Sequence, residues 1–405
     1  MHSDTPLVYP QGIIGSICET LQVSGVFLSN ATYGRVDLSF MSVKETIRKL
    51  TPYSPGKPIE ELRREFGITG EIIKLASNEN PLGPSPKAVE ALQKAAKEIH
   101  RYPDASGFEL RQALAKKHDI PIEQIVLGSG SDELIHYIGL IFLEAGDHQI
   151  MADPGFSRYE PLATLVGATT SKVPVDKNGK HDLEAMAREV NEKTKIVWIA
   201  NPNNPTGTIV RKRELRSFID DLPKNVVLVL DEAYFDFVED SEMPDSLEWV
   251  RENRADKAKV IGLRSLSKTY GLAGVRIGYG FFPPEFADAI HRIRMPFNAN
   301  SLAQIAALAA LGDKEFLERS KKTNREAIEK LTEICSKYNA KVYESHANFV
   351  WADFGRPTQP IYEALLRKGI IVRPGSTFGA PNCLRISVGL PHELEIFEKA
   401  LGSLL

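Results

Sequence analysis

The sequence predicts an α/β protein: a large, mostly parallel sheet with helices on both faces, followed by a smaller α+β unit. Three observations carry this. Short apolar runs recur between residues 125 and 280, and several are β-rich and apolar throughout, as strands covered on both faces of a parallel sheet must be. Helical segments lie between them, the alternation that builds a sheet coated by helices. After about residue 305 the order changes to one long helical region and then mixed strands and helices. A chain of 405 residues is long enough for two domains, at about 100–200 residues each.

The elements follow in order. Residues 1–40 have few charges, no clear period and many small or polar residues; they read as an N-terminal extension. Met41 then opens Ser42-Val43-Lys44-Glu45-Thr46-Ile47, a helix start. Either Met41 is the natural start or the extension is genuine and loosely ordered, and the sequence leaves both open. The mildly apolar stretch 12–28 contains Glu19 and Gln22 and follows no Lys or Arg, so it is a poor signal peptide. Ser85-Pro86 sets a helix start, with Ser at the cap and Pro in the first turn. Val89, Leu92, Ala96 and Ile99 continue it at helical spacing.

A strand over 125–127 ends at Gly128, and a helix follows over 134–143. Further strands are expected at 195–200, 226–230, 260–263 and 277–280, with a helix at 213–221. The C-terminal part reads as a helix over 315–338, strands at 341–343 and 348–353, a helix near 360–368, strands at 370–373 and 384–388, and a closing helix from Pro391. The expected division is a large domain over 85–304 and a small domain made of 41–84 with 305–405. No internal repeat is visible.

Composition excludes several classes. Hydrophobic residues at 42% and charged residues at 25% are ordinary for a globular protein. Lys and Arg number 50 against 53 Asp and Glu, so no basic field exists for nucleic acid or an anionic membrane, although a local anion site remains open. No run approaches the ~20 apolar residues of a membrane span. Cys18, Cys335 and Cys383 are distant and odd in number, which argues against disulfides and a zinc site and fits a reducing cytoplasm.

Ligands of open α/β sheets bind beyond the carboxyl ends of the strands, so polar residues there carry the most weight. Four segments stand out. Gly128-Ser129-Gly130-Ser131-Asp132-Glu133 follows a strand and opens a helix, where glycines allow close backbone approach and the helix N-terminus attracts phosphate. Alone it reads equally as a tight turn with a Ser cap. Glu133 stands where a dinucleotide fingerprint needs its third Gly, so a nicotinamide dehydrogenase is disfavoured. Asn201-Pro202-Asn203-Asn204-Pro205-Thr206-Gly207 could hold an Asn side chain in a fixed orientation or be only a rigid turn. Asp231-Glu232-Ala233-Tyr234 places an acid after a fully apolar strand, costly unless paired or in a cleft; the alternative is a helix cap. Ser265-Leu266-Ser267-Lys268-Thr269-Tyr270-Gly271 with Arg276 gathers hydroxyls, a lysine and an arginine, a set suited to phosphate or to a solvated loop.

Read jointly, these segments resemble the fold-type I pyridoxal-phosphate aminotransferases, and within them the histidinol-phosphate aminotransferase family. The resemblance runs from about Met41 onward. Leu75-Ala76-Ser77-Asn78-Glu79-Asn80-Pro81-Leu82-Gly83-Pro84 and Arg101-Tyr102-Pro103-Asp104 resemble that family's N-terminal signatures. Each segment alone is weak; the combination is specific.

The resemblance implies pyridoxal 5'-phosphate as cofactor and roles for individual residues. Lys268 matches the Schiff-base lysine that also shuttles a proton, and Asp231 the carboxylate that keeps the ring nitrogen protonated. Tyr234 and Asn204 match partners of the ring O3′. The phosphate is implied to lie among Gly130, Ser131, Asp132, Ser265, Ser267 and Arg276. Phe156 matches the aromatic that stacks on the ring, although a lone Phe is more often core. Tyr102 resembles a residue that reaches the neighbouring subunit's cofactor phosphate, which implies a homodimer. Arg385 matches the carboxylate-binding arginine and Arg373 a second pocket arginine; a surface ion pair is the alternative for each. Tyr53 and Asn78 match further substrate-pocket positions.

The implied reaction is ping-pong transfer of an amino group between L-histidinol phosphate and 2-oxoglutarate in the cytoplasm, with no metal. Relatives that prefer aromatic amino acids or decarboxylate phosphothreonine are the nearest alternative, and Lys57-Pro58-Ile59-Glu60-Glu61-Leu62 resembles a subgroup with aromatic preference. A non-enzymatic regulator on the same fold would need an added DNA-binding domain. Residues 1–40 are short for one, and Arg35 is their only Lys or Arg.

Overall fold

The computed structural model describes residues 43–53 and 55–405. The expectations for residues 1–40 and for the start at Met41 lie outside the described residues. Strand β1 (Ile73–Lys74) belongs with the C-terminal strands below. The main sheet has seven strands: β2 (Ile125–Gly128), β3 (His148–Asp153), β4 (Thr169–Pro174), β5 (Thr194–Ala200), β6 (Val227–Asp231), β7 (Lys259–Ser265) and β8 (Gly278–Phe281). Their order is β2-β8-β7-β6-β5-β3-β4. All pairings from β7 to β4 are parallel, and β8 is antiparallel to both neighbours. The fold is the expected α/β architecture, a mostly parallel sheet.

The central strands form because both of their faces are covered. Ile196, Val197, Trp198 and Ile199 of β5 and Val227, Leu228, Val229 and Leu230 of β6 are all buried. Each such side chain contributes about 1.5–3 kcal/mol when withdrawn from water. The register then aligns the carboxyl ends. Ala200 lies opposite Asp231, Asp231 opposite Leu263, Ser265 opposite Gly278, and Gly278 opposite Gly128. The four polar segments of the sequence therefore leave the sheet along one edge.

The C-terminal strands are β9 (Lys341–Val342), β10 (Phe349–Asp353), β11 (Ile370–Ile371), β12 (Arg373–Pro374) and β13 (Cys383–Ser387). Four of them make an antiparallel sheet, β12-β13-β10-β9, while β1 pairs in parallel with β11. The helices Lys314–Lys337 and Pro391–Gly402 cover this sheet through Leu331, Ile334, Leu394 and Phe397. The helix Ser301–Leu311 packs instead among core residues of the main sheet through Ala303, Ala306, Ala307 and Ala310. Ser85 caps the helix Pro86–Ala95 and donates its hydroxyl proton to Asp313, the cap of Lys314–Lys337, at 2.6 Å. One hydrogen bond thus joins two helix starts distant in sequence.

Three local readings differ. The helix from Ser85 ends at Ala95 and tightens into a 3-10 turn, Ala96–Glu98, which leaves Ile99 exposed rather than in the apolar stripe. The start after Met41 yields one turn, Glu45–Arg48. Strands β3 and β4 have no counterpart in the sequence reading, because β3 buries His148 and Gln149 and β4 is a mixed polar edge strand. No helix among the described residues is long and apolar enough to cross a membrane. Cys335 and Cys383 are buried free thiols.

Candidate active site

Asp231 is the last residue of β6 and is 5% exposed. Its Oδ2 accepts the Tyr159 hydroxyl proton at 2.7 Å, and its Oδ1 accepts the Ala233 N–H at 3.2 Å. It forms no ion pair among the described residues. Desolvation pushes its carboxyl up to about 6, and the Tyr159 hydrogen bond opposes the rise. Tyr159 is fixed in turn: its ring stacks on Trp198 at 4.6 Å, and its carbonyl accepts from Gln149 Nε2. Phe156 stands edge-on to Tyr159 at 5.5 Å.

Lys268 follows β7. Its Nζ donates to the Ser77 carbonyl at 3.3 Å and lies 5.8 Å from the centroid of the Tyr234 ring. Loss of water around the amine, then the charge of Arg385, brings it down to about 8. Asp231 and Glu79 pull the other way. A buried acid held up and a buried amine held down, charge-coupled in one site, is the pattern of groups prepared for proton transfer.

The first segment forms a cradle. Gly130 (φ +79) caps the helix Ser131–Phe142 without any side-chain bond to its first N–H groups, so the serine-cap alternative does not hold. A Cβ on Gly130 would fall 2.4 Å from Arg276 Nη2, and one on Gly278 would fall 2.5 Å from the Ser131 nitrogen. Only backbone fits between the guanidinium and the helix start. Ser265 ends β7 and Ser267 follows it; both are buried, with the Ser267 N–H on Ser265 Oγ at 3.2 Å. Open helix N–H groups, an arginine and two hydroxyls suit an anion.

In the second segment the two alternatives divide between residues. Asn201 exchanges hydrogen bonds with Val210, and Asn203 bonds Pro154 and Thr206, so both brace the turn. Asn204 faces the site: its Oδ1 accepts from Arg385 Nη1 at 2.7 Å and its Nδ2 donates to the Tyr234 oxygen at 3.4 Å. Asn78 Nδ2 donates to that same oxygen at 2.9 Å, and Asn78 Oδ1 accepts from Ser387 Oγ at 2.8 Å. Ser387 and Arg385 share β13. The five side chains close a ring. Because the Tyr234 oxygen accepts twice, its own proton is left to point elsewhere.

Arg385 is 7% exposed and forms no ion pair among the described residues, so it is no surface bridge. Its Nη2 reaches the Ala76 carbonyl at 2.7 Å, and its Nε is buried without a partner. Burial lowers it to about 10. Phe378 lies 5.3 Å from Arg385 and 5.9 Å from Arg373, a shared aromatic wall between the two guanidiniums. Tyr53 stands at the rim, its ring 5.7 Å from the Arg158 guanidinium.

One expected residue lies apart. Tyr102 is 82% exposed and stacks on Phe297 at 4.7 Å, with no contact to the residues above. The sequence reading missed Tyr159, Ser387 and Arg158. Tyr159 carried a signal, an aromatic three residues after Phe156 in the same segment.

The buried, unpaired carboxylate suits a cationic ring nitrogen, and the cradle suits a phosphate. The family model for aminotransferase class I and II matches residues 70–401. The chain is 42% identical over 362 residues to the histidinol-phosphate aminotransferase of Caldicellulosiruptor saccharolyticus, covering 89% of this chain and 99% of that one. The chain belongs to the histidinol-phosphate aminotransferase family of class I and II aminotransferases. It is also 45% identical to histidinol-phosphate aminotransferase 2 of Methylococcus capsulatus, over 89% and 97% of the two chains. A crystal structure of histidinol-phosphate aminotransferase from Sinorhizobium meliloti, in complex with pyridoxal-5'-phosphate, superposes with a TM-score of 0.82 at 29% identity, covering 91% of this aminotransferase and 99% of that chain.

Proposed function

We propose that this aminotransferase uses pyridoxal 5'-phosphate to move an amino group between L-histidinol phosphate and 2-oxoglutarate, giving imidazole-acetol phosphate and L-glutamate. The observation that carries the reading is the charge-coupled pair of Asp231 and Lys268 inside a site closed by the Arg385 ring. When bound, the cofactor supplies an electron sink for the electrons left at the substrate α-carbon. Asp231 holds a proton on the ring nitrogen, and its forming no ion pair among the described residues supports this. Lys268 Nζ, held near neutral pH, takes the α-proton and returns it. Tyr234 offers its remaining proton to the ring oxygen.

Gly130, Ser131, Asp132, Ser265, Ser267 and Arg276 hold the phosphate, and Phe156 lies against the ring. Arg385 presents a fork to the substrate carboxylate or phosphate, while Arg373, Tyr53 and Asn78 line the rest of the pocket. Two arginines of different setting let one pocket accept a phosphate-bearing amine and a dicarboxylate in turn.

The large domain is proposed over 85–304 and the small one over 41–84 with 305–405; the seven-stranded and four-stranded sheets support this division, except that the helix Ser301–Leu311 crosses the boundary and packs with the large domain's core. A cytoplasmic homodimer is the proposed setting. The exposed stacked pair Tyr102 and Phe297 supports the dimer, with Tyr102 reaching the neighbouring site. Light scattering of the wild-type protein tests it.

A panel of donors with 2-oxoglutarate tests the reaction. Histidinol phosphate is expected to give the highest kcat/KM. A higher value for phenylalanine or tyrosine makes the protein an aromatic aminotransferase, and no turnover with any donor overturns the enzymatic reading.

A further inference from the structure

The anion cradle contains an electrostatic conflict. The helix Ser131–Phe142 carries Asp132 and Glu133 in its first turn. Acids there suit the helix dipole but repel a phosphate docked on the same N–H groups. Glu133 is fully engaged: Oε2 accepts from the Ser129 N–H and from Asn298 Nδ2, each at 2.7 Å, and Oε1 accepts from the Tyr137 hydroxyl at 2.8 Å. Asp132 has none of these partners. Its charge also reaches the interior, where it adds to the rise of both Asp231 and Tyr159.

One cation answers it. Arg158 Nε donates to Asp132 Oδ1 at 2.8 Å. Arg158 lies between Phe156 and Tyr159, so the segment that delivers the ring-facing aromatic and the partner of Asp231 also delivers this charge. Tyr53 packs against its guanidinium and helps fix it.

We propose that Arg158 is a positioning residue that neutralises Asp132 and so allows the start of this helix to take a phosphate. The pair thereby sets the preference of the site for phosphorylated over unphosphorylated forms of the cofactor ring compound. The proposal rests on the cofactor reading of the preceding subsection.

The test is a double-mutant cycle on cofactor-free protein, with Arg158→Met, Asp132→Asn and both together. Asp132→Asn keeps the backbone N–H. Equilibrium titrations use pyridoxal 5'-phosphate, pyridoxal and inorganic phosphate. Arg158→Met is expected to weaken the phosphorylated ring compound and inorganic phosphate about tenfold, or about 1.4 kcal/mol, and pyridoxal less than about twofold. Asp132→Asn is expected to bind phosphate at least as tightly as wild type. The double variant is expected to recover to within about threefold. Equal weakening of pyridoxal, no change in Arg158→Met, or no recovery in the double variant overturns the proposal. Wild-type protein that captures neither ring compound overturns the cofactor reading alone, because the phosphate titrations still decide the role of Arg158.

Discussion

Replacing Tyr159 by Phe keeps the ring stacked on Trp198 and removes one proton donor from a buried carboxylate. The lost bond is short, 2.7 Å, and its acceptor is the ion of Asp231. A hydrogen bond to a charged group contributes about 1.5–3 kcal/mol, and one pKa unit is worth about 1.36 kcal/mol. Asp231 should therefore climb by about one to two units from its position at about 6. An ionised Asp231 pairs with a cationic ring nitrogen; a protonated one does not. Titrations of cofactor-free protein with pyridoxal 5'-phosphate, followed by the near-visible absorbance of the ring between pH 5 and 9, read the effect.

The ratio of variant to wild-type Kd should be about 5 to 50 at pH 6 and approach unity near pH 9, where both carboxyls are ionised. The sign for stability agrees. Asp231 has a folded pKa raised above its unfolded value of 3.8, so its contribution is complete below that value and disappears as pH climbs through about 6. Tyr159→Phe extends that loss to higher pH. A Kd ratio that does not vary with pH in a folded variant would refute the reasoning, since it would mean that Tyr159 does not act through Asp231.

Three further outcomes are expected. In cofactor-free protein Lys268 should acetylate with a midpoint near pH 8, read by mass spectrometry, because burial holds the amine at about 8 against 10.5 in water; a midpoint near the solvent value would remove its proposed role. That same depression makes Lys268 stabilising above its unfolded pKa, a contribution lost as pH falls through about 8. Arg385→Lys keeps the charge and loses the fork to Asn204 and Ala76, so KM for 2-oxoglutarate should rise at least about tenfold in steady-state assays. Glu232→Leu leaves buried Arg264 with only the partly exposed Asp245 as a partner and should cost about 2–4 kcal/mol in urea unfolding, with part of it recovered by adding Arg264→Met.

Much of the architecture was legible because burial on both faces leaves a plain mark. Strands β5, β6 and β7 are apolar along nearly their whole length, and the polar residue that ends each run marked the edge of the site. Strand β3 lacked that mark because it opens on two buried polar residues, His148 and Gln149, which leaves an apolar run of only three. His148 bonds Thr194 and Ser171, and Gln149 bonds Trp198, Tyr159 and Thr170. Those partners are distant in sequence, and without them a buried His-Gln reads as a loop. Tyr159 was missed for a related reason. Its acceptor lies 72 residues further on, and only the register of the sheet brings the two together. Ile99 shows the reverse error, a spacing that continues after the backbone has turned away.

The loop of bonds through Asn78, Tyr234, Asn204, Arg385 and Ser387 restricts how this protein can be re-engineered. Asn78 bonds both Tyr234 and Ser387, Asn204 bonds both Tyr234 and Arg385, and β13 joins the two ends, so exchanging either asparagine strips a partner from two neighbours. Attempts to redirect the catalyst toward a new amine should therefore spare this circuit and alter the surrounding walls, Phe378, Arg373 and Tyr53, which stand outside it.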